Sequence, residues 1–246
     1  MRVQLYSLKV SHPSVAVHLM LERKGIDHGV RQIPPGLHPL TVRLAGFPGN
    51  TVPAIRVDGR RIQGSTAISR ALDELRPEPP LFPAGAERRQ AVEEAEAWGE
   101  SELQPVPRRI YRWGLVRHRD MRRRLAEVAE MPAPGLVATF NGPLARSFAA
   151  AIGADDDRVR RDLRELPDKL DRVDALIAGG VIGTGEPNAA DYQIATTVRV
   201  LMSFADLQPL IEGRPAADLA LGLVPLWPDE VPPFLPGEWL PLSEAS

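Results

Sequence analysis

Residues 3–33 read VQLYSLKVSHPSVAVHLMLERKGIDHGVRQI, and this stretch decides the fold. Residues 3–8 alternate in a mostly apolar run, which predicts a buried strand. After a turn at residues 11–14, the pattern of residues 15–24 predicts a helix ended by Gly25. A second strand is predicted at about residues 28–33. Because the connection is a helix, the two strands are expected to be parallel and joined by a right-handed crossover.

A hairpin and a further helix extend this unit. Residues 54–57 and 60–63 predict two strands joined by Asp58-Gly59, a dipeptide typical of tight hairpins. Ser65 is expected to cap a helix that runs to about Leu75. With a short irregular or helical segment after Pro34-Pro35-Gly36, the order β, α, β, α, β, β, α predicts a four-stranded mixed sheet flanked by helices.

The rest of the chain has a different composition. Residues 77–84 hold four prolines and predict a stiff linker after a first domain at residues 1–76. Residues 85–224 contain long runs of helix-forming residues and predict an all-helical second domain. We expect helices at residues 85–104, 117–130, 157–178 and 189–207. Residues 225–246 are rich in proline, with Trp227 and Trp239 as apolar anchors, and predict an irregular tail packed on the body.

Composition excludes several classes of function. The 246 residues have a formal net charge of -2, which gives no basic field for nucleic acid or an acidic membrane. No apolar run is long enough to span a membrane, and the first residues do not form a signal sequence, so we expect a cytoplasmic protein. The chain has no cysteine. This excludes disulfides, thiolate metal sites and a cysteine nucleophile, so any reactive sulfur has to come with a ligand.

Four motifs, in this order, resemble the glutathione transferase superfamily, and in particular its theta-like, serine-type bacterial members. Three of them are typical of the thioredoxin-like first domain of that superfamily, and the fourth is typical of its helical second domain. The motifs are Ser11-His12-Pro13-Ser14-Val15-Ala16-Val17, Val52-Pro53-Ala54-Ile55, Gly64-Ser65-Thr66-Ala67-Ile68 and Gly185-Glu186-Pro187-Asn188-Ala189-Ala190-Asp191. The resemblance covers about residues 3–215. It implies a thioredoxin-like domain followed by the all-helical domain of these transferases, usually as a homodimer.

Ser11 is the candidate catalytic residue. A free thiol with a pKa near 8.5 is only about 3% ionised at pH 7, and lowering that pKa by about two units makes the thiolate predominant. Ser11 precedes the first helix, where a hydroxyl can donate to a thiolate and the helix end favours negative charge. The alternative is that Ser11 only caps the helix. Ser14 is the reserve candidate, and His12 is expected to be a surface histidine rather than a base.

The resemblance also implies a binding site for the thiol, which is glutathione or another low-molecular-weight thiol. It implies a cis peptide bond before Pro53, with the backbone of Val52 pairing with the cysteinyl part of the ligand. Ser65 and Thr66 would hold the γ-glutamyl carboxylate and His38 the glycyl carboxylate; a plain helix cap and a loop histidine are the alternatives. Two departures weaken the site: Gly64 stands where the family has Glu or Gln, and no lysine precedes Val52.

In the second domain, an arginine-rich run and a capping motif stand out. Arg108 and Arg112 lie one turn apart and can bind an anionic substrate, although such a run more often forms a solvated face paired with acids such as Glu93, Glu94 and Glu96. Tyr111 and Trp113 can line an apolar substrate pocket or belong to the core. Asn188 and Asp191 have the spacing of a structural capping box.

These observations predict an enzyme that activates a thiol for attack on a hydrophobic electrophile, with no metal. Conjugation, peroxide reduction and isomerisation all start from the same thiolate, so the sequence leaves them open. A non-catalytic binding or scaffold protein of the same fold is the alternative from another class, motivated by Gly64 and the missing lysine. A third hypothesis is a structural protein that docks partners through the arginine-rich helix.

Overall fold

The computed structural model describes residues 1–241, which form four strands and twelve α-helices. The strands are β1 (Val3–Ser7), β2 (Gly29–Gln32), β3 (Ala54–Val57) and β4 (Arg60–Gln63). The first helices are α1 (His12–Arg23), α2 (His38–Leu44), α3 (Ser65–Leu75), α4 (Ala86–Trp98), α5 (Pro105–Arg117) and α6 (Arg119–Val128). The others are α7 (Pro134–Phe140), α8 (Gly142–Ala150), α9 (Asp156–Ala178), α10 (Ala189–Met202), α11 (Gln208–Ile211) and α12 (Pro215–Leu223).

The first unit is the predicted four-stranded mixed sheet, with strand order β2-β1-β3-β4. Strand β2 is parallel to β1, whereas β3 is antiparallel to both β1 and β4. The hairpin turn has positive φ at Asp58 (45°) and Gly59 (94°), a conformation that suits the twist of paired strands. The prediction of a thioredoxin-like first unit and a helical remainder is confirmed.

Helix α1 lies between the sheet and the helical unit, so its first residues lie where the two units meet. Its side chains Ala16, Val17, Met20 and Leu21 are fully buried. Pro13 occupies the first turn, where its missing N–H costs no helical hydrogen bond. After the helix, Gly25 takes a left-handed φ of 57°, which ends the helix before β2.

The predicted linker is anchored to both units. Leu81 and Phe82 are buried, and the Leu81 N–H donates to Asp73 Oδ1 at 2.7 Å. The same carboxylate oxygen accepts from Lys24 Nζ at 2.6 Å, and the Leu81 carbonyl accepts from the Ala189 N–H at 2.9 Å. Residues 77–84 therefore pack as a strap; the exact domain boundaries stay a prediction.

The helical unit differs from the prediction in one place that shapes the site. The helix expected at residues 85–104 ends at Trp98, and a π-helical turn at Gly99–Leu103 follows, closed by the Gln104 N–H on the Gly99 carbonyl at 2.8 Å. Helix α5 then starts at Pro105, because a proline without an N–H fits the first turn of a new helix.

The buried helix α10 begins with the predicted capping box. The Asn188 side chain accepts from the N–H groups of Ala190 and Asp191, at 2.9 and 3.2 Å, and Asp191 Oδ2 accepts from the Asn188 N–H at 2.8 Å. Asp191 also accepts from the Gly183 N–H at 2.7 Å. This cap starts a helix whose residues are all buried.

Replacing Asn188 with Ala is expected to lower the free energy of unfolding by about 1 kcal/mol, because two buried N–H groups lose their acceptor. Asn141 is a matched control: it precedes α8 in the same way, but its side chain makes no capping hydrogen bond. Asn141→Ala should therefore change stability by less than about 0.5 kcal/mol. Urea unfolding of both variants provides the measurement, and equal losses would contradict a special role for the Asn188 cap.

The tail packs on the helical unit as predicted. Trp227, Val231 and Leu235 are buried, and Val231 forms a parallel bridge with Phe204. Asp206 Oδ2 accepts from the N–H groups of Phe234 and Leu235, at 2.7 and 3.0 Å. Residues 242–246 of the predicted tail lie outside the described residues.

Candidate active site

A cavity of about 190 Å³ lies where the sheet unit, the helical unit and the tail meet. Six of the nine candidate site residues line it. From the first unit come Ser11, His38 and Val52, and from α5 come Arg108, Tyr111 and Arg112. Pro53, Ser65 and Thr66 do not line this cavity. The fold therefore brings together most of the residues that the sequence analysis assigned to thiol and electrophile.

Ser11 directly precedes α1 and does not act as an ordinary cap. Its backbone is extended, and its side chain makes no hydrogen bond to the helix N–H groups. Its Oγ instead accepts from the Ser14 hydroxyl at 3.0 Å, which leaves the Ser11 hydroxyl proton available to the cavity. The reserve candidate Ser14 is fully buried and serves as the donor in this pair.

The backbone at Val52 is the exposed edge of the first unit. The Val52–Pro53 peptide bond is cis, as the resemblance implied. Within residues 1–241, neither the N–H nor the C=O of Val52 has a hydrogen-bond partner. The preceding loop is held by Gln63, whose side chain accepts from the Gly49 N–H at 2.7 Å and donates to the Thr51 carbonyl at 2.6 Å.

The start of α3 lies beside this edge, because the Gly64 N–H donates to the Pro53 carbonyl at 3.0 Å. The capping position belongs to Gly64, with φ 92°, so the prediction that Ser65 caps the helix was wrong; Ser65 is its first residue. A side chain at position 64 would project into open space. The Thr66 hydroxyl donates to the Glu100 carboxylate of the π-helical turn.

The arginine-rich run has other partners than those expected. Glu93 pairs with Arg89, Glu94 accepts from Gln90, and Glu96 is bound by Ser69 and Arg70. The prediction of one solvated face paired with these three acids was therefore wrong. The run spans α5 and α6, two helices with different neighbours, so its arginines point to different parts of the molecule. Seven of its eight arginines have hydrogen-bond partners elsewhere, and Arg108 has none among residues 1–241.

Of the two aromatic candidates on α5, only Tyr111 faces the cavity. Its ring is stacked on Phe204, with 6.1 Å between ring centroids. Burial raises the pKa of the Tyr111 hydroxyl, and the nearby Asp229 acts in the same direction, so the group stays protonated. Trp113 belongs to the core, where its Nε1–H donates to Asp156 Oδ1 at 2.8 Å.

Two histidines of the cavity wall are neutral at pH 7. His12 is 4% exposed, so the prediction of a surface histidine was wrong. Burial, and then the charge of Arg108, lower the pKa of His12 to about 3. Burial also lowers the pKa of His38 to about 4, helped by Arg112 and Arg108. A neutral His38 can hydrogen-bond a carboxylate but adds no positive charge.

The third wall of the cavity comes from the tail, and its contribution to the site was not predicted from the sequence. Trp227, Asp229 and Val231 line the cavity. Asp229 is buried and accepts a hydrogen bond from Arg124; burial raises the pKa of this carboxyl. The apolar anchors Trp227 and Trp239 predicted that the tail packs on the body, but no local pattern indicated where.

Within the described part of the chain, no group of three or more His, Asp or Glu side chains is placed to hold a metal ion. None of the helices between residues 1 and 241 has the length and apolarity needed to cross a membrane.

Comparison with known proteins gives one family match, to the first unit. Residues 5–80 match the family described as glutathione S-transferase, N-terminal domain. No curated protein matches the chain significantly.

Three solved structures are similar over most of their length. A glutathione S-transferase from Rhodospirillum rubrum F11 has 20% identity and a TM-score of 0.59, with coverage of 98% of this chain and 99% of that one. A glutathione S-transferase from Methylobacterium radiotolerans, in complex with glutathione sulfonate, has 19% identity and a TM-score of 0.61, with 96% and 97% coverage. Maleyl pyruvate isomerase, described as a bacterial glutathione S-transferase of the zeta class, has 19% identity and a TM-score of 0.59, with 88% and 89% coverage.

At such identities the structural similarity establishes the fold alone, and the matched family covers residues 5–80, which is most of the sheet unit and the first half of the strap. Residues 5–80 therefore resemble a glutathione S-transferase N-terminal domain, and the chain has the fold of the glutathione S-transferases to which it is similar.

Proposed function

We propose that the protein is a glutathione transferase-like enzyme in which Ser11 stabilises the thiolate of glutathione, or of a similar thiol, for attack on a hydrophobic electrophile. One observation carries the proposal: a serine hydroxyl with a free proton faces the interdomain cavity at the start of α1, beside the unpaired backbone of Val52. The glutathione sulfonate bound to the Methylobacterium relative supports glutathione as the thiol.

The first unit offers partners to each part of such a thiol. The N–H and C=O of Val52 can pair with the cysteinyl residue in the manner of an added strand. At the start of α3 beside Pro53, Ser65 can hold the γ-glutamyl carboxylate with its hydroxyl and backbone N–H, and Thr66 with its backbone N–H. His38 is the proposed partner of the glycyl carboxylate. No metal takes part in this proposal.

The remaining cavity walls suit an electrophile that is largely apolar. Side chains such as Leu115, Leu125 and Phe204 surround the space opposite Ser11, together with Tyr111 and Trp227. We extend the proposal to a cytoplasmic homodimer. Thiol-dependent isomerisation is the second candidate reaction, since maleyl pyruvate isomerase shares the fold; peroxide reduction starts from the same thiolate.

The pKa of the bound thiol tests the proposal. Ultraviolet absorbance of the thiolate, followed against pH in the protein–glutathione complex, should give a thiol pKa well below that of free glutathione. Ser11→Ala removes a charge-assisted hydrogen bond, so it should raise this pKa by about one unit, which corresponds to about 1.4 kcal/mol. Turnover of a chloronitrobenzene substrate near pH 6.5 should fall by about tenfold.

Ser7→Ala is the matched control, because Ser7 ends β1 outside the cavity. It should leave the thiol pKa and turnover unchanged. A bound thiol with an ordinary pKa, or an equal pKa in the Ser11→Ala variant, would refute the role of Ser11. Calorimetry with glutathione separates the alternatives: binding without turnover favours a non-catalytic binding protein, and the absence of both favours the docking hypothesis.

A further inference from the structure

Arg108 and Arg112 bring two positive charges to one wall of the cavity. They lie one helical turn apart on α5, and both line the cavity that Ser11 also lines. Arg108 has no hydrogen-bond or ion-pair partner among residues 1–241, and Arg112 donates only to the Phe148 carbonyl, at 2.8 Å. Neither charge is balanced by a paired carboxylate.

The acidic groups near the cavity already have hydrogen-bond or ion-pair partners. Asp229 is the one acidic residue among the lining residues, and it pairs with Arg124. Glu100 raises the pKa of Arg108 and so offsets part of its charge, but its carboxylate binds the Thr66 hydroxyl and forms no ion pair with Arg108. The two lining histidines, His12 and His38, are neutral. The net charge offered to a ligand on this wall is therefore positive.

The two positive charges are unfavourable in the cavity when no ligand is bound. Burial lowers the pKa of Arg108, and the adjacent Arg109 acts in the same direction. Burial, and then repulsion from Arg108, lower the pKa of Arg112 to about 10. Because Arg108 is shifted down in spite of Glu100, and Arg112 is shifted down as well, the two charged forms are only partly compensated in the free protein. An anion between the two guanidinium groups would supply it.

The position of Arg112 is fixed before any ligand binds. Its guanidinium carbon lies 5.1 Å from the centroid of the Phe148 ring, and the other neighbour of that ring is His38, with 5.5 Å between centroids. With Nη1 bound to the Phe148 carbonyl, the other N–H groups of Arg112 are left for the cavity. A fixed fork of this kind matches the two oxygens of a carboxylate.

We propose that Arg108 and Arg112 form an anion subsite that binds a carboxylate carried by the electrophile. The inference rests on the proposed function, because it assigns a substrate class to the same site. The two arginines belong to the helical wall of the cavity, whereas Ser11 and Val52, where the thiol itself would lie, belong to the first unit. The substrate class is therefore an apolar electrophile with one carboxylate, rather than a neutral one.

Binding of two conjugates that differ in one group tests this subsite without turnover. S-(4-carboxy-2-nitrophenyl)glutathione and S-(4-carbamoyl-2-nitrophenyl)glutathione have the same glutathionyl part and nearly the same shape, but only the first has the extra carboxylate. By calorimetry, the protein should bind the carboxylate conjugate at least about tenfold more tightly, as expected for hydrogen bonds to a charged group.

Arg108→Gln and Arg112→Gln should each remove most of this preference and change binding of the carbamoyl conjugate by less than about twofold. Arg108→Lys should restore part of it. Arg123→Gln is the matched control, because Arg123 is exposed on α6 and pairs with Glu127. Thermal unfolding of each variant shows whether it is folded; should Arg112→Gln fail to fold, Arg108→Gln alone carries the test.

The outcomes separate this inference from the proposed function. Equal binding of the two conjugates, or equal weakening of both by the arginine variants, would overturn the subsite; in the second case the arginines bind the glutathionyl carboxylates. Selective binding of the carboxylate conjugate without any turnover would support the subsite and refute the transferase. Turnover with no preference for the carboxylate conjugate would support the transferase and refute the subsite.

Discussion

Asp162→Asn is expected to lower the free energy of unfolding by about 3–5 kcal/mol, because it leaves a buried guanidinium without its counter-charge. Asp162 on α9 accepts from Arg109 Nε at 2.5 Å and from Arg109 Nη2 at 2.7 Å, and the Asp162 side chain is only 2% exposed. Urea unfolding gives the measurement. The loss matters for the site, since Arg109 holds the helix that carries Arg108 and Arg112.

The control for this prediction is the exposed pair Arg123–Glu127. Glu127→Gln should cost less than about 1 kcal/mol, since solvent screens that pair. Replacing both buried partners by apolar residues, as in Arg109→Met with Asp162→Leu, should recover much of the lost stability, because no unpaired charge remains. A loss in Asp162→Asn no larger than in Glu127→Gln would contradict a buried ion pair.

Acidification from pH 7 to pH 5 is expected to destabilise the protein by about 2 kcal/mol through His12 alone. The pKa of His12 is lowered from 6.5 to about 3 on folding, so between these pH values the unfolded chain binds a proton that the folded chain does not bind. The stability due to neutral His12 is therefore complete above pH 6.5 and is lost as the pH falls toward about 3. His38 acts in the same direction, by less because solvent reaches it more easily.

The His12→Gln variant isolates this contribution. Glutamine does not titrate, so its free energy of unfolding, measured in urea at several pH values, should fall less between pH 7 and pH 5 than that of the unchanged protein. Burial raises the pKa of Glu96, Asp191 and Asp229, which gives a pH dependence of opposite sign that both proteins share. Parallel curves for the two proteins would show that His12 is protonated in the folded state.

The first unit could be predicted from the sequence because its signals are local. Each signal specifies the backbone conformation of a few neighbouring residues. The signals are the alternation in residues 3–8, the helix end at Gly25 and the Asp58-Gly59 turn. The order of these pieces then leaves few topologies for a sheet with one parallel crossover. The capping box at Asn188 and Asp191 could be predicted for the same reason, because it spans only four residues.

The errors concern residues whose environment is set by distant parts of the chain. A histidine in the first turn of a helix is exposed unless another part of the chain covers it; His12 is buried, and Arg108 of α5 is close enough to lower its pKa. The partners of the arginine-rich run are equally remote: Arg109 pairs with Asp162 and Arg124 with Asp229. Helices α7, α8, α11 and α12 were not predicted, since they are short, have proline at the first or second position and contain few charged residues.

The tail wall has a consequence for how such a protein can change over generations. The groups proposed to handle sulfur belong to residues 11–66, whereas Trp227, Asp229 and Val231 come from an irregular segment near the other end of the sequence. The hydrogen bonds that join Val231 of this segment to Ser203 and Ala205 are made by the backbone, so side chains there can be replaced without losing them. Substrate range and thiol chemistry can therefore diverge independently.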